Sequence, residues 1–466
     1  MRSLELDSAR LDHLADELVR ATLGWTAALD ERSINPNTTG PELHDLFTEV
    51  LPETGLGEDA FGFAALLENS RAQNGRFLGY VMGSAEPVSV LGEFLAAALN
   101  QNVTSWRSAP AATTIERALV DCLARELGCD GFSGSFCGGG SSANLMGLAM
   151  ARESKLAANE SGARPGVVYA SSEIHMSVPK SVALLGLGRE NLRLISVDER
   201  FRMSTDALRS AIAEDAAAGR TPIAVVASAG TVNTGAVDPL EEIAGIAYEH
   251  GLYLHVDAAY GGLAALAAPE RIGPLGLANS VSLDLHKWLY QPVDCGLLLF
   301  RDRELARRAF TYTDDYVLSF ADDPFESFMY FEESLELSRR FRALKVWLSV
   351  RYHGLSAFRA SIREDLELAQ QLGRKVEEAD ELELLTPVEL SAVCFRAIGA
   401  VSSDLEALNR SILAAVNDRG RIYLSNATLS GTFALRACIT NHRTTEEDLD
   451  TVIDEVTSVA VSLTED

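Results

Sequence analysis

Short apolar segments that alternate with helical patterns constrain the fold of this chain more than any other feature. Segments with the length and composition of buried strands occur at residues 167–171, 192–197, 222–229, 252–256, 281–285 and 296–300. Apolar residues at helical spacing separate several of them, as at residues 205–218 and 240–250. This alternation predicts an α/β fold in which a mostly parallel central sheet carries helices on both faces.

The regions on either side of this alternation differ from it in pattern. The N-terminal region shows helical spacing at residues 7–29 and 90–98, separated by a loop-rich stretch that contains several prolines. After a predicted long helix at residues 335–352, strand-like segments at 392–397 and 432–439 enclose a further helix. We therefore expect an N-terminal helical segment (residues 1–105), a large domain (106–355) and a small C-terminal α+β domain (356–466).

The charge of the chain limits the partners that it can bind. Its 40 Lys and Arg residues against 67 Asp and Glu residues give a formal charge of -27, with a pI near 4.7. Binding to nucleic acid needs a basic face, and here the arginines are interspersed with carboxylates, so we expect no nucleic-acid partner. No apolar run approaches the length of a membrane span, and the N-terminus lacks an apolar signal core, so we expect no membrane association.

The cysteines and histidines indicate the compartment and the absence of a metal. The six cysteines show neither paired metal-ligand spacing nor the density of a disulfide framework. The eight histidines form no helical His-x-x-x-His pair. We therefore expect a cytoplasmic protein without a metal site.

An acidic residue and a lysine each follow an apolar segment. Asp257 ends one such segment, and thirty residues later Lys287 lies in the tripeptide His286-Lys287-Trp288. Because ligands in such sheets bind beyond the carboxyl ends of the strands, both side chains are expected at one site. A lysine that forms a Schiff base and a carboxylate that keeps a pyridine nitrogen protonated suit pyridoxal 5'-phosphate (PLP) chemistry. The sequence therefore predicts a PLP site.

Lysine is scarce in this chain, which strengthens the assignment of Lys287. The other lysines are Lys155, Lys180, Lys345 and Lys375, while the arginines keep their protons and do not act as amine nucleophiles. Of the five lysines, only Lys287 stands beside a histidine at the end of a strand-like segment.

A glycine-rich turn is the candidate phosphate site. Gly138, Gly139 and Gly140 precede Ser141 and a helical pattern, and backbone N–H groups at a helix N-terminus favour an anion. A flexible glycine-rich loop is the alternative, since neither the P-loop pattern nor the dinucleotide-binding pattern is matched.

Two further side chains follow strand-like segments. His175 offers a flat ring that can lie over a cofactor ring, although a loop histidine is more often structural. Thr231 offers a hydroxyl at another strand end, and the alternative there is an ordinary turn residue.

Together these residues resemble the group II pyridoxal-dependent decarboxylases, which include aromatic-L-amino-acid and glutamate decarboxylases and have PLP fold type I, the aspartate-aminotransferase-like fold. The resemblance runs from about residue 75 to the C-terminal segment, and the His-Lys-Trp motif is its most specific part. It implies that Lys287 carries the cofactor and Asp257 pairs with the pyridinium. It also implies that His175 stacks on one face of the ring and Ala259 packs on the other.

The same resemblance implies further roles. Gly140, Ser141 and His286 would hold the phosphate, Thr231 would lie at the cofactor, and Tyr316 would be the mobile-loop tyrosine that reprotonates the carbanionic intermediate. The family also implies a homodimer with the active site at the subunit interface and the N-terminal helices packed across the partner.

Three positions depart from the family pattern. Thr231-Val232 replaces two successive threonines found in much of the family, and Ser142 replaces an acid of the phosphate turn. Val81 stands where animal aromatic decarboxylases have a phenylalanine, which weakens the transfer of aromatic specificity. The substrate therefore stays open among aromatic, acidic, basic and aliphatic L-amino acids.

The expected function is decarboxylation of an L-amino acid, a small-molecule substrate, which releases carbon dioxide and the corresponding amine. The alternative on the same scaffold is an aldehyde-forming oxidative decarboxylase, a carbon-carbon lyase or an aminotransferase. An aminotransferase would clamp the substrate carboxylate with an arginine such as Arg436, which would stabilise the group that a decarboxylase must lose. A non-catalytic PLP-binding protein is the third hypothesis, and the joint presence of Lys287, Asp257, His175 and Tyr316 argues against it.

Overall fold

A seven-stranded sheet lies at the centre of the computed structural model, which describes residues 4–36, 38–48, 50–162, 164–312, 323–398 and 404–465. Its strands are β1 (Ser133–Cys137), β2 (Val167–Ser171), β3 (Leu192–Ile195), β4 (Pro222–Ser228), β5 (Tyr253–Asp257), β6 (Ser280–Asp284) and β7 (Gly296–Phe300). They lie in the order β1-β7-β6-β5-β4-β2-β3, and β7 runs in the opposite direction to the other six strands. The predicted mostly parallel sheet is confirmed.

Helices precede, connect and cover these strands. They are α1 (Ser8–Ala27), α2 (Gly40–Phe47), α3 (Ala64–Glu68), α4 (Pro87–Leu99), α5 (Pro110–Glu126), α6 (Gly140–Leu156), α7 (Ala158–Ser161), α8 (Ser177–Leu184), α9 (Thr205–Ala217), α10 (Leu240–Glu249), α11 (Pro269–Ile272), α12 (Leu285–Trp288), α13 (Arg303–Phe310) and α14 (Ala343–His353). Proline begins α4, α5 and α11, where its missing N–H would have no partner within the helix. Side-chain caps begin others, as where Ser204 accepts the N–H of Ala207.

The two faces of the sheet contribute to separate apolar cores. Along β4, Val225 and Ala227 belong to one core, whereas Ala224 and Val226 belong to the other. This follows from the two-residue repeat of a strand, because successive side chains point to opposite faces. A strand buried on both faces is apolar throughout, as this segment is in the sequence.

The strand register brings particular residues to the carboxyl edge of the sheet. Asp257 at the end of β5 lies between Ser228 of β4 and Ser282 of β6. Gly296 at the start of β7 lies between Cys137 of β1 and Asp284 of β6. The turns that follow β1, β4, β5 and β6 therefore meet at this edge.

A second, antiparallel sheet forms in the C-terminal part of the chain. Its strands, in the order β10-β11-β9-β8, are β8 (Leu382–Leu384), β9 (Ala392–Ala397), β10 (Ser425–Leu429) and β11 (Thr432–Cys438), and the helices there are α15 (Leu355–Glu378), α16 (Leu405–Arg419) and α17 (Glu446–Glu465). Phe358 and Ile362 of α15 pack in the core of the large sheet, whereas Leu372 and Val376 pack in the core of the small one. One helix thus joins both cores, and the domain bounds at 105/106 and 355/356 stay a prediction.

The predicted helix at residues 335–352 is wrong in its first half, since α14 begins only at Ala343. The fully buried Arg339 pairs with Glu116, and its guanidinium also donates to the carbonyl oxygens of Val103 and Phe136. These contacts pair the buried charge of Arg339. A helix over residues 335–342 would point this side chain in another direction, so the contacts favour the non-helical backbone.

Among the described residues, we find no helix with the length and apolar character needed to cross a bilayer.

Candidate active site

Lys287 lies in α12, the single helical turn that directly follows β6. Its Nζ is 3.3 Å from Asp284 Oδ2, and 19% of its side chain is exposed. The neighbouring Trp288 is fully buried and stacks on Tyr260, with ring centroids 6.1 Å apart. This buried aromatic contact holds the turn in place, and the amine of Lys287 therefore lies at the carboxyl edge of the sheet.

Asp257 is the last residue of β5, and its carboxylate accepts hydrogen bonds at both oxygens. Oδ2 accepts from Asn144 Nδ2 at 2.8 Å, while Oδ1 accepts from Ser282 Oγ at 3.1 Å and from the N–H of Ala259 at 3.3 Å. The residue is only 7% exposed. These donors stabilise the charge of a buried carboxylate and fix its orientation.

His175 precedes α8 and lies within electrostatic reach of both residues. The pKa of its ring is lowered, chiefly by burial and to a smaller extent by the charge of Lys287. The charges of Asp257 and Asp284 act in the opposite direction and raise that pKa. Nδ1 of His175 also lies 2.9 Å from Ser177 Oγ. The structure therefore brings the predicted lysine, acid and histidine to one place.

The glycine-rich turn between β1 and α6 lies against the same place. Gly139 has φ +114°, a conformation that favours glycine, and a Cβ added to Gly140 would stand 2.7 Å from Ala259 Cβ and 3.0 Å from Asp284 Oδ2. A Cβ at Gly296 would stand 2.4 Å from the Cα of Gly139. Only glycine at these positions lets the turn, the Ala259 loop and the end of β6 come so close.

The first turn of α6 suits an anion. It contains no acidic residue, and Ser141 is exposed there with its hydroxyl one position after Gly140. His286 lies beside the turn: its Nδ1 accepts the N–H of Cys295 at 3.4 Å, and its Nε2 is 3.5 Å from Asp284 Oδ2. Burial lowers the pKa of the His286 ring.

Thr231 is less closely tied to this cluster. Thr231 is buried in the turn after β4, and its Oγ1 lies 3.0 Å from Thr234 Oγ1, so the hydroxyl is engaged within its own turn. Tyr316 lies outside the described residues.

Arg436 lies in β11, as a sheet residue, and reaches toward the Thr231 segment. It donates to the carbonyl oxygens of Asn233 at 3.1 Å and Tyr80 at 2.7 Å. Its buried Nη2 has no hydrogen-bond partner among the described residues. The guanidinium therefore retains a free donor beside the segment that contains Thr231.

Sequence reasoning missed three residues of this site, namely Asn144, Ser282 and Asp284. Asn144 and Ser282 donate to Asp257, and Asp284 contacts Lys287. The only signal available was spacing: Asn144 is one helical turn after Gly140, and Asp284 is one turn before Lys287. Spacing along the chain does not show that such residues face a ligand.

The residues present fit PLP. The buried carboxylate of Asp257, which accepts from three donors, suits a protonated pyridine nitrogen. The partly exposed amine of Lys287 suits covalent attachment. The glycine-rich turn at the N-terminus of α6 suits a phosphate. One group opposes the fit, because Asp284 places a second carboxylate beside the glycine-rich turn. Lys287 offsets that charge from the other side.

Comparison with known proteins agrees with this geometry. Residues 69–398 match the pyridoxal-dependent decarboxylase conserved domain. The chain is 32% identical to an aromatic-L-amino-acid decarboxylase of Bacillus atrophaeus, over 98% of this chain and 97% of the relative. It is 34% identical to an L-2,4-diaminobutyrate decarboxylase of Rhizobium meliloti, over 89% of this chain and 84% of the relative. The crystal structure of Rhodiola rosea 4-hydroxyphenylacetaldehyde synthase superposes with a TM-score of 0.88 at 27% identity, covering 98% of this chain and 99% of that one.

The fold and the site define a PLP enzyme of fold type I. The chain belongs to the pyridoxal-dependent decarboxylase family. It is thus a carboxy-lyase of amino-acid metabolism that uses PLP, as the sequence predicted.

Proposed function

We propose that the chain releases carbon dioxide from an L-amino acid at the edge of the sheet where Lys287 and Asp257 meet. The observation that carries this proposal is the placement of both residues at the carboxyl ends of neighbouring strands, since Asp257 ends β5 and Lys287 lies in the turn that follows β6. Three hydrogen-bond donors fix the Asp257 carboxylate, and the Trp288 contact fixes the lysine turn. Such fixed charges stabilise charge that develops during a reaction at little cost of reorganisation.

Each side chain then has a distinct task. PLP, when bound, supplies the electron sink for the bond that breaks at Cα. Lys287 would hold the cofactor, and Asp257 would keep its pyridine nitrogen protonated. His175 and Ala259 would contact the ring of the cofactor, Gly140, Ser141 and His286 would hold its phosphate, and Thr231 would lie near it. Tyr316 delivers a proton to Cα after carbon dioxide leaves.

A mapping experiment tests the attachment site. Borohydride reduction of the PLP-loaded protein, followed by peptide mapping, should place the cofactor on Lys287. The fully buried Lys345 is the matched control, because its amine is already engaged with Glu93 at 2.9 Å and with the carbonyl oxygens of Pro292 and Asp294. Cofactor found on Lys345, Lys155, Lys180 or Lys375 would overturn the assignment.

A substrate screen tests the reaction. Aromatic, acidic, basic and aliphatic L-amino acids are incubated with the loaded protein, and carbon dioxide, amine, aldehyde and peroxide are measured in each case. The relatives named above act on aromatic amino acids and on L-2,4-diaminobutyrate, so these substrates come first. Amine formed in equal amount with carbon dioxide supports the proposal. Aldehyde with peroxide from the wild-type chain would assign it to the oxidative alternative.

We also propose that two copies of the chain form the working unit. Helix α1 buries only Leu14, and leaves apolar side chains exposed, among them Leu11, Val19 and Leu23. Helix α4 likewise exposes Leu91 and Phe94. Apolar surface of this extent favours burial against a partner, and a second copy would cover it as the family resemblance implies. Sedimentation equilibrium should give twice the mass of 50.2 kDa.

We propose a cytoplasmic location for this dimer. All six cysteines are free thiols, and five of them are buried. Thiols persist in a reducing compartment. Fractionation of the source cells tests the location, and recovery of the protein outside the cytoplasm would contradict it.

A further inference from the structure

Asn144 occupies the centre of a buried hydrogen-bond network behind the site. It lies in α6, is 1% exposed, and its Nδ2 donates both to Asp257 Oδ2 and to Ser177 Oγ, each at 2.8 Å. Its Oδ1 lies 2.9 Å from Nε2 of His255, a residue of β5 that is fully buried. One amide therefore contacts three different polar groups and leaves neither of its two ends without a partner.

The acceptor at Asp257 determines how this amide is oriented. An ionised carboxylate only accepts hydrogen bonds, so the NH₂ end of Asn144 must face Asp257 and the carbonyl end must face His255. His255 Nε2 then carries a proton, and its Nδ1 accepts from Ser280 Oγ, which lies 2.8 Å away. Burial lowers the pKa of His255 to about 4, in agreement with a neutral ring that has one donor and one acceptor nitrogen.

The second branch of the network reaches His175. Ser177 Oγ accepts from Asn144, which leaves its own proton for Nδ1 of His175, 2.9 Å away. The N–H of Ser177 also donates to that nitrogen at 3.2 Å. With Nδ1 of His175 occupied as an acceptor, the proton of the neutral ring lies on Nε2. Asn144 thus connects the two groups proposed to hold the ring of the cofactor.

We propose that Asn144 and His255 are positioning residues that set the orientation of Asp257 and of His175 together. His255 holds the carbonyl end of the amide, and this contact directs both amide protons toward the site. When PLP is bound, the partner of its pyridine nitrogen and the histidine at its ring would then be oriented by the same amide. This inference rests on the proposed roles of Asp257 and His175.

Asn144→Asp tests the network with little change of shape. The variant loses both amide donors and places a second carboxylate against Asp257. Loss of a hydrogen bond to a charged group should weaken PLP binding at least about tenfold. The visible circular dichroism per mole of bound PLP should also fall, since that signal reports how rigidly the ring is held.

The matched control is Asn409→Asp in α16. Asn409 is also fully buried, and its Nδ2 donates to the carbonyl oxygens of Ala397 and Leu405 in the small core. The control should lower the melting temperature of the PLP-free protein but leave the dichroism per bound PLP unchanged. Equal effects of the two variants on PLP binding and dichroism would show that Asn144 acts only through stability, which would overturn the proposal.

A second pair of variants applies if Asn144→Asp does not fold. His255→Gln keeps a donor for Asn144 and an acceptor for Ser280, whereas His255→Leu keeps neither. The glutamine variant should retain the dichroism that the leucine variant loses, and equal signals from the two would overturn the proposal. Failure of the wild-type protein to hold PLP on Lys287 is a different result, because it contradicts the proposed function.

Discussion

The amine of Lys287 lies 3.3 Å from Asp284 Oδ2, and the other oxygen of that buried carboxylate has no hydrogen-bond partner among the described residues. The same carboxylate lies beside the glycine-rich turn, where a Cβ on Gly140 would stand 3.0 Å from Oδ2. Asp284 therefore faces both the proposed attachment point and the proposed phosphate site. If PLP attaches to Lys287, Asp284 would lie beside both the modified nitrogen and the phosphate.

Asp284→Asn should speed the attachment of PLP and tighten its binding. The substitution keeps the shape of the side chain but removes the ion pair and the repulsion between two anions. A like-charge contact in a partly buried site costs on the order of 1 kcal/mol or more, which corresponds to about fivefold or more in affinity. Stopped-flow absorbance after mixing the PLP-free protein with PLP gives the rate. A slower attachment would mean that Asp284 assists the reaction of Lys287.

Asp257→Ala should impair chemistry much more than retention of the cofactor. The glycine-rich turn around Gly140 remains, whereas the charge opposite the pyridine nitrogen is lost. Loss of such a partner could cost several kcal/mol of transition-state stabilisation, or on the order of a thousandfold in rate. The measurement is turnover per mole of bound PLP on whichever L-amino acid the wild type accepts. Near-normal turnover would rule out this role for Asp257.

Tyr316→Phe should slow protonation at Cα and divert part of the product. Removal of the hydroxyl leaves bond cleavage in place, and general acid catalysis commonly contributes ~10²- to 10⁴-fold. Oxygen would then take two electrons from the carbanionic species, so that the amino acid, O₂ and water give aldehyde, ammonia, carbon dioxide and hydrogen peroxide. The measurement is the ratio of amine to aldehyde. Unchanged amine yield and rate would make His175 the next candidate acid.

Gly147→Ala should destabilise the protein and weaken PLP binding. A Cβ at this position of α6 would stand 2.5 Å from both Cε1 and Nδ1 of His255, so the ring must move. Overpacking of a buried site costs roughly 1–3 kcal/mol. Gly245→Ala in α10 is the control, because its added Cβ meets nothing within 4 Å and the helix gains up to ~1 kcal/mol. Similar melting temperatures for the two variants would contradict the prediction.

Asp365→Asn should make the protein more stable than the wild type at high pH. Burial raises the pKa of Asp365 to about 8, while its carboxyl accepts from Tyr290 Oη at 2.9 Å. The protonated form is favoured in the folded state. Its stabilising effect is complete below the unfolded pKa near ~3.9 and is lost as the pH rises through about 8, so wild-type stability falls over that window.

Asparagine still accepts from Tyr290 but carries no charge at any pH. The free energy of unfolding of the variant should therefore rise relative to that of the wild type as the pH increases, by on the order of a few kcal/mol across the whole window. Melting temperatures of both PLP-free proteins at pH 6 and pH 8.5 give the comparison. A difference between the two proteins that does not grow with pH would show that Asp365 is ionised at both values.

Several elements were predicted closely because their patterns are local. The segments at 167–171 and 296–300 coincide with β2 and β7, since continuous apolar runs bounded by turns specify strands buried on both faces. Strand β1 was not predicted, because Ser133 and Gly134 interrupt its apolar character. Its place in the sheet depends on pairing with β7, and the sequence does not display that pairing.

The sequence by itself determined the family, and it predicted the lysine, acid and histidine that are proposed to carry the chemistry, because these residues stand in short motifs next to strand-like segments. Only the tertiary structure decided which groups surround them. Asn144 and Asp257 are 113 residues apart, yet they share a hydrogen bond of 2.8 Å, because Gly147 lets α6 approach β5 closely. Contacts of this kind depend on how elements pack across the sheet, and packing leaves no periodic pattern along the chain.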